Sequence, residues 1–247
     1  MPRGLIMTHA NPHTQPILLS VKNLSVSYDT EPIFHNVSFD MHKGDVIMII
    51  GPNGAGKTTL CKTLMGLINP STGSYHWHTQ KISYLPPQEL LSRKNLPPLS
   101  VADFFSFKNV TLDIITNTLQ SVGLDKSILH KQFNELSTGQ FQRMVIAWAL
   151  CDNPEVLVFD EPTSGIDLGG AETIYSLLHN FWKQKNLSIM LITHDLSVVW
   201  EHANKVLCLN KKRYCMGSPQ KILTPENLQD LYQSNIKFYI HEHNNDK

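Results

Sequence analysis

The stretch GPNGAGKTT, residues 51 to 59, combines three glycines with a lysine and two threonines. Glycines let the backbone approach an anion and turn its N–H groups inward, while the Lys57 ammonium suits the β- and γ-phosphates and the Thr58 hydroxyl suits Mg²⁺. This loop predicts binding of a nucleoside triphosphate. The candidate nucleotide-binding residues here are Gly51, Pro52, Asn53, Gly54, Ala55, Gly56, Lys57, Thr58 and Thr59.

A second group of chemistry-bearing residues stands in VLVFDEP, where Asp160 and Glu161 follow an apolar run. A carboxylate at the carboxyl end of a buried strand can reach the metal shell of a bound nucleotide. Adjacent residues on an extended chain point apart, so we expect Asp160 to hold Mg²⁺ and Glu161 to orient or deprotonate the attacking water. An isolated Asp-Glu pair would indicate only a solvated strand end, but the phosphate loop upstream favours catalysis.

The segment NELSTGQFQRMVIAWAL, residues 134 to 150, predicts another helix that begins at an anion site. Ser137 stands where an N-cap belongs, and Gly139 leaves a backbone N–H bare ahead of an apolar helix. One chain does not need two such sites for one γ-phosphate. The second site therefore requires a different explanation from the first.

The elements that must position these groups alternate between strands and helices. The apolar run DVIMII precedes the phosphate loop and predicts a strand buried on both faces, and TTLCKTLMGLI predicts a helix directly after the loop. EVLVFDEP and LSIMLITHD predict two further buried strands around the helical AETIYSLLHNFWKQK. This order indicates a parallel sheet whose strands end near Asp160 and His194.

Other segments surround this α/β core. ILLSVKNLSVSY and IFHNVSFDM alternate apolar and polar residues, which predicts antiparallel strands, and STGSYHWHTQKISYLPP predicts a turn and two short strands. Residues 89 to about 150 predict a helical insertion, with helices around VADFFSF and TLDIITNTLQSVGL and a third from about Thr138. A hairpin in KVLCLNKKRYCMG and a capped helix in TPENLQDLYQS follow.

LSTGQ resembles the LSGGQ signature of ATP-binding cassette (ABC) ATPases. The phosphate loop, Gln88, LSTGQ at 136–140, the strand and carboxylates at 156–161, SGID at 164–167 and His194 match that family in order and spacing. The resemblance implies an α/β fold: a P-loop NTPase (RecA-like) core with an N-terminal antiparallel β subdomain and an inserted α-helical subdomain. It implies one ATPase domain over residues 17–240 with flexible ends at 1–16 and 241–247, and ATP and Mg²⁺ as cofactors.

The same resemblance implies roles for residues outside the phosphate loop. Tyr28 would stack on adenine, Gln88 would contact Mg²⁺ and sense the transport partner, and Asp167 would link two nucleotide sites across a dimer. His194 would contact the γ-phosphate and hold the attacking water. As a lone residue it would more simply be a polar strand cap, so its role depends on the resemblance.

The signature residues Ser137, Gly139 and Gln140 would cap the nucleotide held by a second copy, which implies a homodimer. Two positions depart from the family pattern. Thr138 replaces the first signature glycine, but activity should survive because Ser137 and Gly139 are retained. Trp148 stands where many members have an arginine, so a polar contact from this helix is expected to be absent.

Composition restricts the classes of partner. Lys plus Arg and Asp plus Glu are both 21 in 247 residues, and this zero formal charge disfavours nucleic acid as a partner. The first residues have no apolar run of signal-peptide length, and the longest apolar stretches are about strand length, whereas a membrane span needs roughly 20 residues. We therefore expect a cytosolic chain that acts on a membrane only through a partner.

A separate cassette of this length is typical of bacterial importers, in which two ATPase copies drive integral-membrane permease subunits. The end of the chain, from CLN through TPENL and LY to a His-bearing tail, resembles zinc and manganese importer ATPases. This resemblance implies import of a divalent metal, most simply zinc, with a peripheral location on the cytoplasmic face of the inner membrane and a periplasmic or surface metal-binding protein upstream. Manganese or iron import, or a soluble cassette that assembles iron–sulfur clusters, are the alternatives.

Cysteine and histidine pairs suggest further sites. A two-residue turn in KVLCLNKKRYCMG would place Cys208 opposite Cys215, although cytosolic cysteines are usually small buried hydrophobes. His76 and His78 lie two apart on a predicted strand, and His241 and His243 lie in the tail; either pair could hold Zn²⁺ weakly, but such pairs are usually surface polar residues.

Overall fold

The computed structural model describes residues 15–29, 31–87, 98–162, 168–211 and 213–232. Nine strands and eight α-helices are defined within these ranges. The strands are β1 (Ile17–Tyr28), β2 (Glu31–His42), β3 (Val46–Ile50), β4 (Thr72–Trp77), β5 (Ile82–Leu85), β6 (Val156–Asp160), β7 (Ser188–Ile192), β8 (Lys205–Asn210) and β9 (Arg213–Gly217). The helices are α1 (Lys57–Leu64), α2 (Val101–Ser106), α3 (Leu112–Ser121), α4 (Thr138–Leu150), α5 (Leu168–Lys185), α6 (Leu196–His202), α7 (Pro219–Ile222) and α8 (Pro225–Tyr232).

The central sheet has six strands in the order β5-β6-β7-β3-β8-β9, parallel except for the β8–β9 hairpin. Every residue of β3, β6 and β7 is buried. Their continuous apolar sequence follows from this position, because successive side chains enter cores on opposite faces: Ile47 and Ile49 pack on one face, Met48 and Ile50 on the other. The predicted parallel sheet is confirmed.

A second sheet, β2-β1-β4, is antiparallel and shares a core with helix α1 and one face of the central sheet. Its alternating pattern buries Leu19, Val21 and Phe39 toward that core. The Trp77 indole N–H donates to the Leu64 carbonyl at 2.8 Å, which ties β4 to the end of α1. The antiparallel N-terminal subdomain predicted from the sequence is therefore present.

The helical insertion contains α2, α3, two short 3₁₀ turns and α4. Apolar side chains from these elements, including Phe105, Leu119 and Met144, join the core on the other face of the central sheet. The bridge between Ser100 and Gln132 closes the insertion at its base. Three predicted helices are confirmed here; residues 89–97, at the start of the predicted insertion, lie outside the described ranges.

The C-terminal elements follow the predicted order. Strands β8 and β9 form the hairpin with Asn210 opposite Arg213, and α8 begins after Thr224, whose hydroxyl accepts from the Asn227 N–H at 3.3 Å. Most of the predicted flexible ends fall outside the described residues, so the 17–240 boundaries remain a prediction. No helix in the described ranges is long and apolar enough to cross a bilayer.

Candidate functional site

Three neighbouring parallel strands deliver the chemistry-bearing residues to one edge of the sheet. Strand β3 leads into the phosphate loop, β6 ends at Asp160, and β7 is followed by Thr193 and His194. The carboxyl ends of parallel strands meet at the same edge, where ligands of open α/β sheets bind. The site therefore forms from segments that are far apart in sequence.

The phosphate loop is held in a shape that requires glycine at particular positions. Gly51 has φ of +152°, and a Cβ built on it would lie 2.0 Å from the Leu209 carbonyl oxygen. Gly56 has φ of +91° and stands at the N-terminus of α1, which has no side-chain cap. No side chain therefore occupies the first N–H groups of α1, the groups that the sequence assigns to a phosphate.

Lys57, the first residue of α1, is buried within the loop. Its ammonium donates to the Gly51 carbonyl at 2.9 Å and to the Pro52 carbonyl at 3.1 Å. Burial lowers the pKa of Lys57, and the carboxylates of Glu161 and Asp160 oppose that shift. The loop thus holds a positive charge that is only partly compensated, which favours a polyanionic ligand.

Thr58 and Asp160 form an oxygen pair suited to Mg²⁺. The Thr58 hydroxyl donates to Asp160 Oδ1 at 3.2 Å, and Asp160 is 1% exposed. Its other oxygen, Oδ2, is buried with no hydrogen-bond partner among the described residues. Burial, and secondarily Glu161, raise the pKa of Asp160. Mg²⁺ takes oxygen ligands and commonly binds through one or two carboxylates, so these residues fit that ion.

Glu161 has an unusual backbone conformation directly after the strand. Its φ is +52°, and its N–H donates to the Ile192 carbonyl at 3.2 Å. We expected the two carboxylates to diverge because the chain is extended; the chain instead turns into the left-handed region at Glu161, a costly conformation for this residue type. Strand β6 ends at Asp160, and the turn gives Glu161 its separate direction.

His194 pairs with Glu161. Its Nε2 atom lies 2.7 Å from Glu161 Oε1, and the two side chains are 44% and 33% exposed. The structure therefore brings together both residues predicted to handle the attacking water. Their direct hydrogen bond was not foreseen, because sequence spacing gave no measure of the distance between the ends of β6 and β7.

An open cleft of about 350 Å³ lies over the phosphate loop. Residues 53–59, Glu161 and Ile33 line it. Tyr28, the predicted adenine platform, stands 54% exposed at the end of β1 and does not line this cleft. Gln88 and Asp167 lie outside the described residues.

The predicted second anion site also has the expected local structure. The Ser137 hydroxyl accepts from the Gln140 N–H, and the Ser137 N–H donates to the Gln140 side chain, both at 3.1 Å. A Cβ on Gly139 would meet nothing within 4 Å. None of the three residues lines the phosphate-loop cleft. This helix start is therefore formed and accessible, but it belongs to a different surface from the phosphate loop.

Comparison with known proteins gives the family. The model of the ABC transporter family matches residues 34–164. The chain belongs to this family. Two zinc import ATP-binding proteins named ZnuC are similar to it: that of Mannheimia succiniciproducens is 33% identical over 92% of this chain and 87% of its own length, and that of Haemophilus ducreyi is 34% identical over 94% and 89%.

A similar solved structure also comes from an ABC transporter. The inward-facing structure of an ABC transporter described as of metal-chelate type has 30% identity and a TM-score of 0.77, covering 87% of this chain and 89% of its own. The chain is thus an ABC ATPase with the P-loop NTPase fold, and ATP is its nucleotide. The predicted family, fold and enzyme class are confirmed.

The ABC ATPase accommodates Trp148 through a cation from the segment that follows α2. The Lys108 ammonium lies 3.7 Å from the centre of the Trp148 ring and forms an ion pair with Asp152, while Phe104 stacks on the indole at 5.1 Å. We expected a polar contact to be absent where relatives have arginine. Lys108 supplies a positive charge at this place, and cation–π pairing stabilises it.

Sequence reasoning missed two residues that lie close to the phosphate loop or to Asp160. Ile33 on β2 lines the cleft and lies beside Gly56, and Tyr84 on β5 has a buried hydroxyl with no hydrogen-bond partner among the described residues. Tyr84 pairs with Val158, two residues before Asp160 on the same face of β6. An apolar β2 residue and a strand tyrosine carry no motif, so only the cleft lining identifies Ile33 and only the sheet register identifies Tyr84.

Proposed function

We propose that this ABC ATPase is the ATP-hydrolysing subunit of a divalent-metal importer, with zinc as the favoured metal. One observation carries the proposal: similarity to zinc import ATP-binding proteins extends over 92% and 94% of the chain, well beyond the 34–164 segment that the family as a whole shares. The added part includes the β8–β9 hairpin and α8. The metal-chelate-type transporter supports the same class of substrate.

The residues at the carboxyl ends of β3, β6 and β7 divide the hydrolysis reaction among them. The N–H groups at the start of α1 and the Lys57 ammonium bind the phosphates. Thr58 and Asp160 would hold Mg²⁺, which when bound would neutralise part of the phosphate charge. Glu161 accepts a proton from the water that attacks the γ-phosphorus, and ADP leaves from the opposite side. His194 holds the Glu161 carboxylate through its 2.7 Å contact.

The Ser137 and Gly139 positions complete the site of a second copy. In one chain the N-terminus of α4 is accessible and does not line the cleft over the phosphate loop. Two chains arranged head to tail place each α4 against the nucleotide held by the other, so ATP acts as a bridge. Gln88, Asp167, Gln140 and Tyr28 retain the roles that the family resemblance implies.

The homodimer works on integral-membrane permease subunits from the cytoplasmic face. ATP binding closes the two copies and hydrolysis reopens them, which shifts the permease between its two access states. A periplasmic or surface metal-binding protein delivers the ion. The ATPase itself needs no site for the transported metal, and among the described residues no group of three or more Cys, His, Asp or Glu could hold one.

The test is ATP-dependent uptake of Zn²⁺ and Mn²⁺ into vesicles that contain this chain and its membrane partner, with the ATPase and trapped ATP inside and the metal and its binding protein outside. Glu161→Gln removes the base, and Glu172→Gln makes the same chemical change on the exposed surface of α5 as a matched control. We expect Zn²⁺ transport that Glu161→Gln abolishes and Glu172→Gln preserves. Transport of Mn²⁺ alone would show that the transported metal is manganese and not zinc. Normal ATP hydrolysis without movement of either ion would contradict the importer role.

A further inference from the structure

The β8–β9 hairpin carries a pair of cysteines that ATP hydrolysis does not use. Cys208 and Cys215 are directly opposite each other in the antiparallel register, as the turn spacing predicted. Cys208 is 2% exposed, whereas Cys215 on the edge strand is partly accessible. Cys61 and Cys151 are both buried, on α1 and just after α4. The chain thus has one adjacent thiol pair, with one member open to a solvent reagent, among its described cysteines.

The register brings the pair within reach of a disulfide. Residues directly opposite on antiparallel strands have Cβ atoms about 4.5 to 5.5 Å apart. A disulfide needs about 3.5 to 4.5 Å between the same atoms. The two strands must therefore approach locally by up to about 1 Å for the bond to form. Such a movement is small enough for a hairpin at the edge of the sheet.

The two thiols have different reactivity. The hydrogen bond from Cys208 lowers the pKa of Cys215, while that bond and burial raise the pKa of Cys208. The thiolate is the reactive form, and accessible thiols of low pKa beside a second cysteine are the ones oxidised selectively. Cys215 is therefore the attacking group and Cys208 the resolving group.

The pair is also connected to the phosphate loop. Cys208 is the parallel partner of Ile50, the last residue of β3. The next residue along β8 is Leu209, whose carbonyl oxygen lies so close to Gly51 that it leaves no room for a Cβ there. Tyr232 on α8 interacts with both Cys208 and the Gly51 backbone. A displacement of β8 at Cys208 is transmitted directly to the residue at which the loop begins.

We propose that Cys208 and Cys215 are a redox modification site, at which hydrogen peroxide forms a reversible disulfide that slows ATP hydrolysis. The Cys215 thiolate attacks one peroxide oxygen, which breaks the O–O bond, gives a sulfenic acid and releases the other oxygen as water after protonation. The Cys208 thiol then attacks the Cys215 sulfur, its proton leaves with the sulfenic oxygen as a second water, and the S–S bond forms. The two sulfurs lose two electrons in total, and the peroxide accepts them.

The chemical test treats the reduced full-length chain with hydrogen peroxide, blocks the remaining thiols with an alkylating reagent, and maps cysteine peptides by mass spectrometry. We expect a Cys208–Cys215 disulfide that a thiol reductant reverses, with Cys61 and Cys151 still alkylated after denaturation. A Cys61→Ala, Cys151→Ala variant should give the same disulfide. Recovery of both Cys208 and Cys215 as free thiols, or their oxidation without a bond between them, would overturn the proposal.

The functional test measures ATP hydrolysis before and after the same treatment. The reduced wild type first shows whether the chain is an active ATPase, which separates this inference from the proposed transport role. We expect a several-fold fall in rate after oxidation that the reductant restores, and no such reversible fall in Cys215→Ser. Disulfide formation with an unchanged rate would overturn the connection to the phosphate loop.

Discussion

Helices α1 and α4 both begin at residues whose N–H groups can face an anion, but different interactions hold their N-termini in place. At α1 the chain itself is constrained: Gly51 is pressed against Leu209, Gly56 is left-handed, and Lys57 is buried. At α4 a side chain caps the helix, and space surrounds Gly139. The first site is prepared within one chain. The second is accessible and lies apart from the cleft over the phosphate loop, so the proposed dimer is what would give it a nucleotide.

This difference separates binding from hydrolysis. A preorganised loop can hold ATP in a single chain, whereas the transition state requires donors aimed at developing charge from every side. If α4 of a second copy supplies some of them, then residues of α4 should affect turnover without affecting binding by the isolated chain. The following variants test that division.

The largest effect is expected for Glu161→Gln. Removing a general base typically lowers turnover by about 10²- to 10⁴-fold, while the phosphate contacts of the loop are untouched. We expect ATP affinity to be retained and an ATP-bound dimer to accumulate, detectable by size-exclusion chromatography with light scattering. Rapid steady turnover by this variant would refute the role of Glu161, and Glu172→Gln serves as the charge-matched control.

Gly139→Asp should distinguish most clearly between the role of the α4 N-terminus in hydrolysis and that of the α1 N-terminus in ATP binding. A carboxylate at the N-terminus of a helix stabilises it by about 0.3 to 1 kcal/mol, and nothing near Gly139 obstructs the side chain. The same carboxylate would repel a nucleotide phosphate, at a cost of several kcal/mol. We expect an unchanged or higher Tm, unchanged ATP affinity of the monomer and hydrolysis reduced by at least about 100-fold. Normal hydrolysis would mean that α4 does not face the nucleotide of a second copy.

Lys57→Met tests the phosphate loop, where we expect a loss of ATP binding and not of hydrolysis alone. Losing a buried charged partner of the phosphates should weaken ATP binding by about 2 to 5 kcal/mol, at least about 30-fold. Because burial lowers the pKa of Lys57, its charged form is less favourable in the folded protein than in water, so an apolar side chain of similar length should keep or raise Tm. Nucleotide titration and thermal unfolding measure the two effects. Unchanged ATP affinity would contradict the assignment of the loop.

Gly51→Ala should damage the structure of the phosphate loop. Its Cβ would overlap the Leu209 carbonyl, a backbone atom that a side-chain rotation cannot remove. Overpacking of this kind typically costs about 1 to 3 kcal/mol. We expect a lower Tm together with weaker ATP binding, whereas Gly139→Ala, at a position with open space, should leave both unchanged. Equal stability of the two variants would remove the structural distinction between the helix starts.

Sequence patterns predicted the phosphate loop, the strand that ends at Asp160, the Ser137 cap and the Cys208–Cys215 register, because each depends on residues close together in the chain. The turn at Glu161 was missed because a positive φ in a non-glycine residue is imposed by neighbouring strands. The compensation of Trp148 by Lys108 was missed for a similar reason, since those residues are 40 positions apart and meet only in the folded chain. Local patterns therefore reveal chemistry, and tertiary contacts determine its geometry.

The smallest effect on activity is expected when the N-cap serine of α4 is replaced, and the N-cap serine of α2 provides a matched control. Ser137 and Ser100 both begin helices with a capping box, at α4 and α2 respectively. Alanine at either position should cost about 1 kcal/mol, or about 2 to 4 °C in Tm for a chain of this size. Only Ser137→Ala should also lower ATP hydrolysis, because the proposed dimer places the Ser137 hydroxyl against a nucleotide and assigns no such role to Ser100. Equal turnover of the two variants, at equal loss of stability, would show that Ser137 acts as a cap alone.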